Sequence, residues 1–285
     1  MSVAIRAATP TDAAAIGWIC YEAFKTIAER HNFPPDFPSA DVASELLGQL
    51  AARADVHGLV AEIGGRVVGS NFLWERDPIA GVGPITVDPD VQNGAIGRRL
   101  MQAVLERADR AGFRAVRLVQ AAYHSRSLSL YTKLGFVARE QLAVMQGDAI
   151  AAPLHGHHVR PAREADLRAA SAVCRSVHAH DRAQELLDAI RKGSASVVER
   201  DGQITGYATD IGFFDHAVAR TTEDLKALII AAKAFGGPGF IVPVRNTTLF
   251  RWCLEHGLRI VQPMTLMGIG DYHEPQGAFL PSVLF

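Results

Sequence analysis

Apolar and polar positions along this chain fall into two rhythms. Extended apolar runs at residues 3–6, 58–63, 66–73, 85–87 and 115–119 predict strands, and helical spacing predicts helices over 13–28, 41–53, 94–111 and 125–134. The punctuation agrees. Thr9, Pro10 and Asp12 open the first helix, and Ser39 caps the second. Gly64-Gly65 joins 58–63 to 66–73 as a hairpin. Residues 74–81 connect that hairpin to the next strand. Gly112 and Gly135 stop the third and fourth helices. Residues 33–39 read as a loop with two aromatics, residues 136–146 as one or two strands, and residues 147–158 as a linker. Helix 94–111 should bury Ile96, Leu100, Ala103, Val104 and Ala108.

The pattern then restarts. Ile5-Arg6 through Asp12 aligns with Val159-Arg160 through Asp166, which sets Cys20 on Cys174. Glu62 through Gly69 aligns with Glu199 through Gly206, and Leu130-Tyr131 through Phe136 with Trp252-Cys253 through Leu258. Three matches in one order predict two copies of a single α+β unit.

One stretch has no second copy. Residues 83–100 run strand, Pro-broken turn, glycine-bearing loop and helix start, with Arg98 and Arg99 following at once. The first N–H groups of a helix lack internal partners and lie at its positive end, so this arrangement suits a phosphate. The equivalent stretch, 212–228, carries no such loop.

Composition narrows the picture. The chain has 285 residues and a net charge of −1, and neither half is basic, so nucleic acid is not an expected partner. No apolar run is long enough to span a membrane, and no signal-peptide pattern opens the chain. Cys20, Cys174 and Cys253 lie far apart without a CxxC, which argues against a disulfide framework or zinc site and fits a reducing cytoplasm. His155-Gly156-His157-His158 falls in the linker and is not expected to hold a metal. There is no Gly-Lys-Ser/Thr of a P-loop, and Gly81-Val82-Gly83 lacks the third glycine of a dinucleotide fold.

Asp88-Pro89-x-Val91-Gln92-x-x-Ala95-x-Gly97-Arg98-x-Leu100-Met101, followed some 30 residues later by Leu130-Tyr131-x-Lys133-Leu134-Gly135-Phe136, resembles the GNAT (Gcn5-related N-acetyltransferase) superfamily. The resemblance covers about residues 3–146, and the second half looks like a degenerate copy. It implies an α+β fold of two tandem GNAT-like domains, each a mixed, mostly antiparallel sheet flanked by helices. Residues 1–150 would form the catalytic domain with the acetyl-CoA site, and 151–285 the degenerate domain.

The implied activity is acetyl-CoA-dependent N-acetyl transfer to a primary amine by direct attack. The acceptor, a small molecule or a peptide, is not identified by the sequence. The rival is a CoA-binding sensor or interaction module with little catalysis. By resemblance, Gln92, Asn93, Gly94, Ala95, Ile96 and Gly97 wrap the pyrophosphate. Ile85, Thr86 and Val87 pair with the pantetheine amides, and Arg98, Arg99 and Arg126 are candidates for phosphate contacts. Ala95 stands where the family has glycine, and Gly94 is expected to absorb the turn. Tyr131 matches the tyrosine that protonates the departing thiolate, its alternative being a core tyrosine. His124 replaces an asparagine on the pantetheine arm and could serve as a base. Glu75 leads the other base candidates, Asp77 and Asp88. The second copy can wall the acceptor cleft or carry a homodimer interface. The apolar tail ending in Phe285 is expected to dock, with its carboxylate a further base candidate.

Overall fold

The computed structural model describes residues 2–92, 94–153 and 155–284. Asn93 and Phe285, and with Phe285 the expected terminal carboxylate, lie outside these residues. In the first half β1 (Val3–Ala7) leads to α1 (Ala13–Arg30) and α2 (Ala40–Ala52). Next come β2 (Val56–Ile63), β3 (Arg66–Trp74), β4 (Ala80–Val82), β5 (Thr86–Val87), α3 (Ile96–Arg110), β6 (Ala115–Ala121), α4 (Ser125–Lys133) and β7 (Val137–Gln146). The second half repeats the order as β8 (His158–Pro161), α5 (Leu167–His178), α6 (Ala183–Lys192), β9 (Ser196–Arg200), β10 (Gln203–Ala208), β11 (Ala217–Ala219), α7 (Thr222–Ala231), β12 (Phe240–Pro243), α8 (Thr247–Glu255) and β13 (Arg259–Gly270). A last strand, β14 (Ala278–Leu280), follows.

Local chemistry explains the boundaries. Gly64 and Gly65 both take positive φ in the β2–β3 turn, as a tight hairpin requires. The Ser39 side chain accepts the Val42 N–H at the start of α2. The repeat extends to side-chain chemistry. Arg6 reaches Asp12 at 2.8 Å and Glu62 at 2.7 Å, while Arg160 reaches Asp166 at 2.7 Å and Glu199 at 2.6 Å. Each arginine ties the first strand, the first helical turn and the hairpin of its own half.

The sheets do not divide where the halves do. A nine-stranded sheet runs β1-β2-β3-β4-β6-β13-β7-β12, with β5 also on β3. Its β4–β6 pairing is parallel and the others antiparallel. Strand β13 of the second half inserts between β6 and β7, setting Leu266 opposite Val119 on one side and Glu140 on the other. The second sheet, β14-β11-β10-β9-β8, is antiparallel.

Alternation along β2 assigns the two faces of the larger sheet. Leu59 and Ala61 pack under α3 with Leu100, Met101 and Val104, while Val60 packs with Ile16, Cys20 and Leu47 of α1 and α2. The tail docks as expected. Ser282 is buried, the Val283 N–H bonds the Phe213 carbonyl, and the Leu284 backbone lies against Gly81. Among the described residues no helix is long and apolar enough to cross a membrane.

Candidate acetyl-CoA and acceptor site

The larger sheet opens at one place. Strands β4 and β6 pair at Ala80↔Val116 and Gly81↔Arg117. Beyond that point Val82 stays with Leu73 of β3, and Thr86 and Val87 pair with Ser70 and Gly69. From Leu118 to Ala121, β6 follows β13 instead. Among the described residues β5 pairs only with β3, so the backbone of Ile85, Thr86 and Val87 presents an edge without a strand partner toward the opening. Such an edge can receive an extended, amide-bearing ligand as an added strand. Gln120 sits on the α3/α4 face of β6, in alternation with Val116 and Leu118. It is 6% exposed, with neither side-chain polar atom paired. A buried amide in that state is suited to a polar partner arriving in the opening.

At the end of β5 the chain turns through Asp88, which is 1% exposed, pairs with Arg66 at 3.0 Å and accepts the Asp90 N–H. Asp88 therefore holds the turn together, and the structure does not place it as a free base. Gln92 anchors the loop by donating to the Val87 carbonyl and accepting from Arg126 Nη1 at 3.1 Å. The turn into α3 falls on Ala95, with φ 58°, and not on Gly94 as expected. A left-handed alanine costs about 1–2 kcal/mol, which the loop supports with its other contacts. Among the described residues no side chain caps α3, so the first-turn N–H groups around Ile96, Gly97 and Arg98 are unclaimed by a cap.

An open groove of about 570 Å³ lies between the start of α3 and one face of α4, lined by Arg98, Ser125, Arg126, Ser129, Leu130 and Lys133. Three cations and two hydroxyls beside an uncapped helix start suit an anion. Arg99 is exposed and does not line the groove. Ser125, Ser129, Leu130 and Lys133 are the lining residues the sequence did not single out as part of the site. Their signal was present, since residues 126, 129, 130 and 133 share one helical face.

Tyr131 points the other way, into the core, 6% exposed and packed on Phe136. Burial pushes its phenol up to about 12, opposed by a hydrogen bond with Ser127. At neutral pH it keeps its proton. His124 caps α4, its Nδ1 accepting the Ser127 N–H at 2.9 Å, and burial lowers its pKa. With Nδ1 committed, the neutral ring carries its proton on Nε2 and is a poor base. Asn246 caps α8 in the same way, through the Leu249 N–H.

Glu75, first among the expected bases, is engaged elsewhere. Arg107 holds both its oxygens at 2.7 Å, a bidentate pair that occupies the carboxylate on both sides. Asp77 lines a different cleft with Arg76, His180 and Arg182, where burial pushes its carboxyl up to about 6. Of the expected cofactor residues, Arg98 and Arg126 line the groove, Gln92 is bonded to Arg126, Ala95 and Gly97 sit at the start of α3, Ile96 is buried in the core, and Ile85, Thr86 and Val87 lie along the strand edge. The structure leaves Glu75 and Arg99 outside. Two of the linker histidines lie near carboxylates: His157 approaches Asp224 at 3.3 Å and His158 approaches Glu199 at 3.4 Å.

This geometry can be set beside known proteins. The acetyltransferase (GNAT) family model matches residues 21–136, within the first half of the chain. An IAA acetyltransferase of Azospirillum brasilense is 35% identical over 94 residues, a match spanning 32% of this chain and 61% of that relative. The fold extends over the whole length. A Pyrococcus horikoshii protein provisionally described as an acetyltransferase superposes with a TM-score of 0.74 at 18% identity, covering 97% of this chain and 94% of its own. A tandem GNAT protein from the clavulanic acid biosynthesis pathway does so with a TM-score of 0.57 at 13% identity, covering 94% and 98%. The α+β fold is therefore shared over nearly the whole chain with both structures, one of them a tandem protein.

Proposed function

We propose that this protein transfers an acetyl group from acetyl-CoA to a primary amine, with one active site per chain. The observation that supports this most is the coincidence of three features: the β4–β6 opening, the uncapped start of α3, and the groove of Arg98, Arg126 and Lys133. The groove and the helix start suit the cofactor's phosphates, and Ile85, Thr86 and Val87 suit its pantetheine amides. Gly97 fits the same reading. A Cβ there would meet Leu130 Cδ2 at 3.6 Å and Val87 Cγ2 at 3.8 Å, ordinary contacts that the protein itself tolerates. The space matters for a ligand that must approach the backbone closely.

Catalysis then needs three events. The acceptor amine loses a proton, its lone pair attacks the thioester carbon, and the sulfur leaves as a thiol. Tyr131, protonated at neutral pH, supplies the last proton. The second half shapes the acceptor side through β13. The Azospirillum relative is named for acetyl transfer, which agrees with this chemistry.

The test is a thermal-shift titration of the full chain with acetyl-CoA, followed by thiol release with spermidine, tyramine and an alanine-terminated peptide. We expect a saturable stabilisation and amine-dependent thiol release. Stabilisation without thiol release for all three amines would favour a cofactor-sensing module. Absence of stabilisation would remove the cofactor assignment.

A further inference from the structure

The α1–α2 loop is fastened at both ends by aromatic contacts. Phe33 stacks on Tyr123 with ring centroids 4.3 Å apart and 9° between planes, and Phe37 is buried against Phe24 at 6.0 Å. Asp36 lies between these anchors. Its Oδ1 accepts from Gln262 Nε2 at 3.1 Å, and Gln262 Oε1 accepts from the Tyr123 hydroxyl at 3.1 Å. Three segments distant in sequence thus meet in one polar chain: the α1–α2 loop, the turn between β6 and α4, and β13 of the second half. Gln262 is 1% exposed, and both ends of its amide are engaged, Nε2 donating and Oε1 accepting.

The charge of Asp36 is unanswered within this chain. Among the described residues no cation pairs with it, and its side-chain partner is a neutral amide. Its titratable neighbours are Cys20 on α1, Tyr123 at the end of β6, and His31, whose ring lies 5.2 Å from that of Tyr123. Cys20 and Tyr123 are both pushed upward by burial and by Asp36 itself, so neither adds charge at neutral pH. A half-buried carboxylate without a cation is unfavourable unless a cation arrives from outside. An amine substrate arrives as an ammonium.

Position supports the same reading. Tyr123 directly follows the strand that leaves β4, and it precedes the His124 cap of the helix that bears Tyr131. The α1–α2 layer covers one face of the larger sheet and the α3–α4 layer the other. Asp36 and Tyr131 therefore belong to layers on opposite faces of the larger sheet, and both connect to the segment that follows β6, Asp36 through Gln262 and Tyr123 and Tyr131 through α4.

We propose that Asp36 binds the acceptor as an ammonium and takes its proton, and that Gln262, contributed by the second half, is the positioning residue that holds it. This rests on the acetyl-transfer reading above. Asp36 accepts one proton from the ammonium. The freed lone pair forms the C–N bond as the C=O electrons move to oxygen. Return of those electrons breaks the C–S bond, and the sulfur takes a proton from Tyr131. The remaining surplus N–H proton leaves to solvent, which reprotonates Tyr131, and Asp36 releases its own. The sum is one amide, one thiol and one proton. Burial pushes the Asp36 carboxyl up to about 6, opposed by the Gln262 hydrogen bond, so it is ionised yet basic at neutral pH.

The test uses the full chain with acetyl-CoA and the three amines named above. In the wild type, kcat/KM should fall about tenfold per pH unit below roughly pH 6. Asp36→Asn should lower kcat/KM by about 10²-fold or more and abolish that acid limb, while leaving the acetyl-CoA thermal shift intact. Gln262→Met removes the donor, so the limb should move upward by roughly one pH unit, which a merely structural role would not produce. Asp36→Asn turning over within threefold of wild type with an unchanged limb would overturn the role of Asp36 and leave acetyl transfer standing. No transfer by the wild type to any of the three amines would overturn the reading beneath it.

Discussion

Helices α3 and α7 begin at equivalent points of the repeat, yet their first turns are satisfied in opposite ways. Helix α3 starts on a left-handed Ala95 with no side-chain cap. Helix α7 starts on Thr221, whose side chain accepts the Asp224 N–H. Asp224 is fully buried there, accepting from the Thr205 and Thr221 hydroxyls, with His157 and Arg200 approaching at 3.3 and 3.7 Å. The second helix carries its own anion at its positive end, whereas the first leaves that place for an anion from outside.

The strands tell the same story. In the first half β4 and β6 stay in one sheet and part beyond Gly81. In the second half their counterparts β11 and β12 belong to different sheets, and β14 pairs along β11 from Ala217↔Leu280 to Ala219↔Ala278. The position a pantetheine arm would take is filled by the chain itself. The acid position differs too. Cys253 replaces Tyr131, and its buried thiol is pushed up to about 12. The second copy thus supplies from within the chain the carboxylate, the strand and the core packing that the first leaves open.

The sharpest way to break this comparison is at the acid. Tyr131→Phe keeps the ring packed on Phe136 and removes the proton, so kcat should fall about 10²-fold, with the acetyl-CoA thermal shift little changed. Cys253→Ala should leave kcat where it is and lower the melting temperature, since it removes a buried side chain. Equal kinetic effects of the two would remove the asymmetry between the halves.

The groove comes next in size. Arg126 both lines the groove and holds Gln92, so Arg126→Ala should raise the acetyl-CoA Kd by about tenfold, or roughly 1.4 kcal/mol. Lys133→Ala should cost less, because an exposed lysine acts as a screened point charge. Both losses should shrink as salt rises, which isothermal titration at two ionic strengths would show. A Kd insensitive to either substitution would detach the phosphates from this groove.

Much of this was legible in the sequence, and the failures have physical causes. The loop, the repeat and Tyr131 are local patterns, so residues close in sequence announce them. Ser39 and the Gly64-Gly65 turn are likewise fixed by neighbouring backbone. The insertion of β13 between β6 and β7 is not local, because an antiparallel strand reads the same whichever sheet receives it. For that reason Gln262 gave no signal, and Asp36 looked like one more acid in a proline-rich loop. Glu75 failed for a related reason. Its partner Arg107 lies a helix away, and only packing reveals that the carboxylate is already held.

The smallest effects test the loop itself, and they run in opposite directions at two neighbouring positions. Ala95 occupies a left-handed conformation that glycine adopts freely, so Ala95→Gly should raise stability, or at worst leave it unchanged, by relieving about 1 kcal/mol of strain against the added chain entropy. Its Kd for acetyl-CoA should stay within about twofold, because the backbone already holds the bound shape. Gly97 lies inside α3, where alanine is favoured by about 0.5–1 kcal/mol, and its added methyl meets only ordinary contacts. Gly97→Ala should therefore raise the melting temperature of the free protein and weaken acetyl-CoA binding at once. That divergence separates a glycine kept for a ligand from one kept for the fold. A Gly97→Ala protein that is more stable and binds the cofactor as tightly as before would show that no phosphate approaches the chain at this turn.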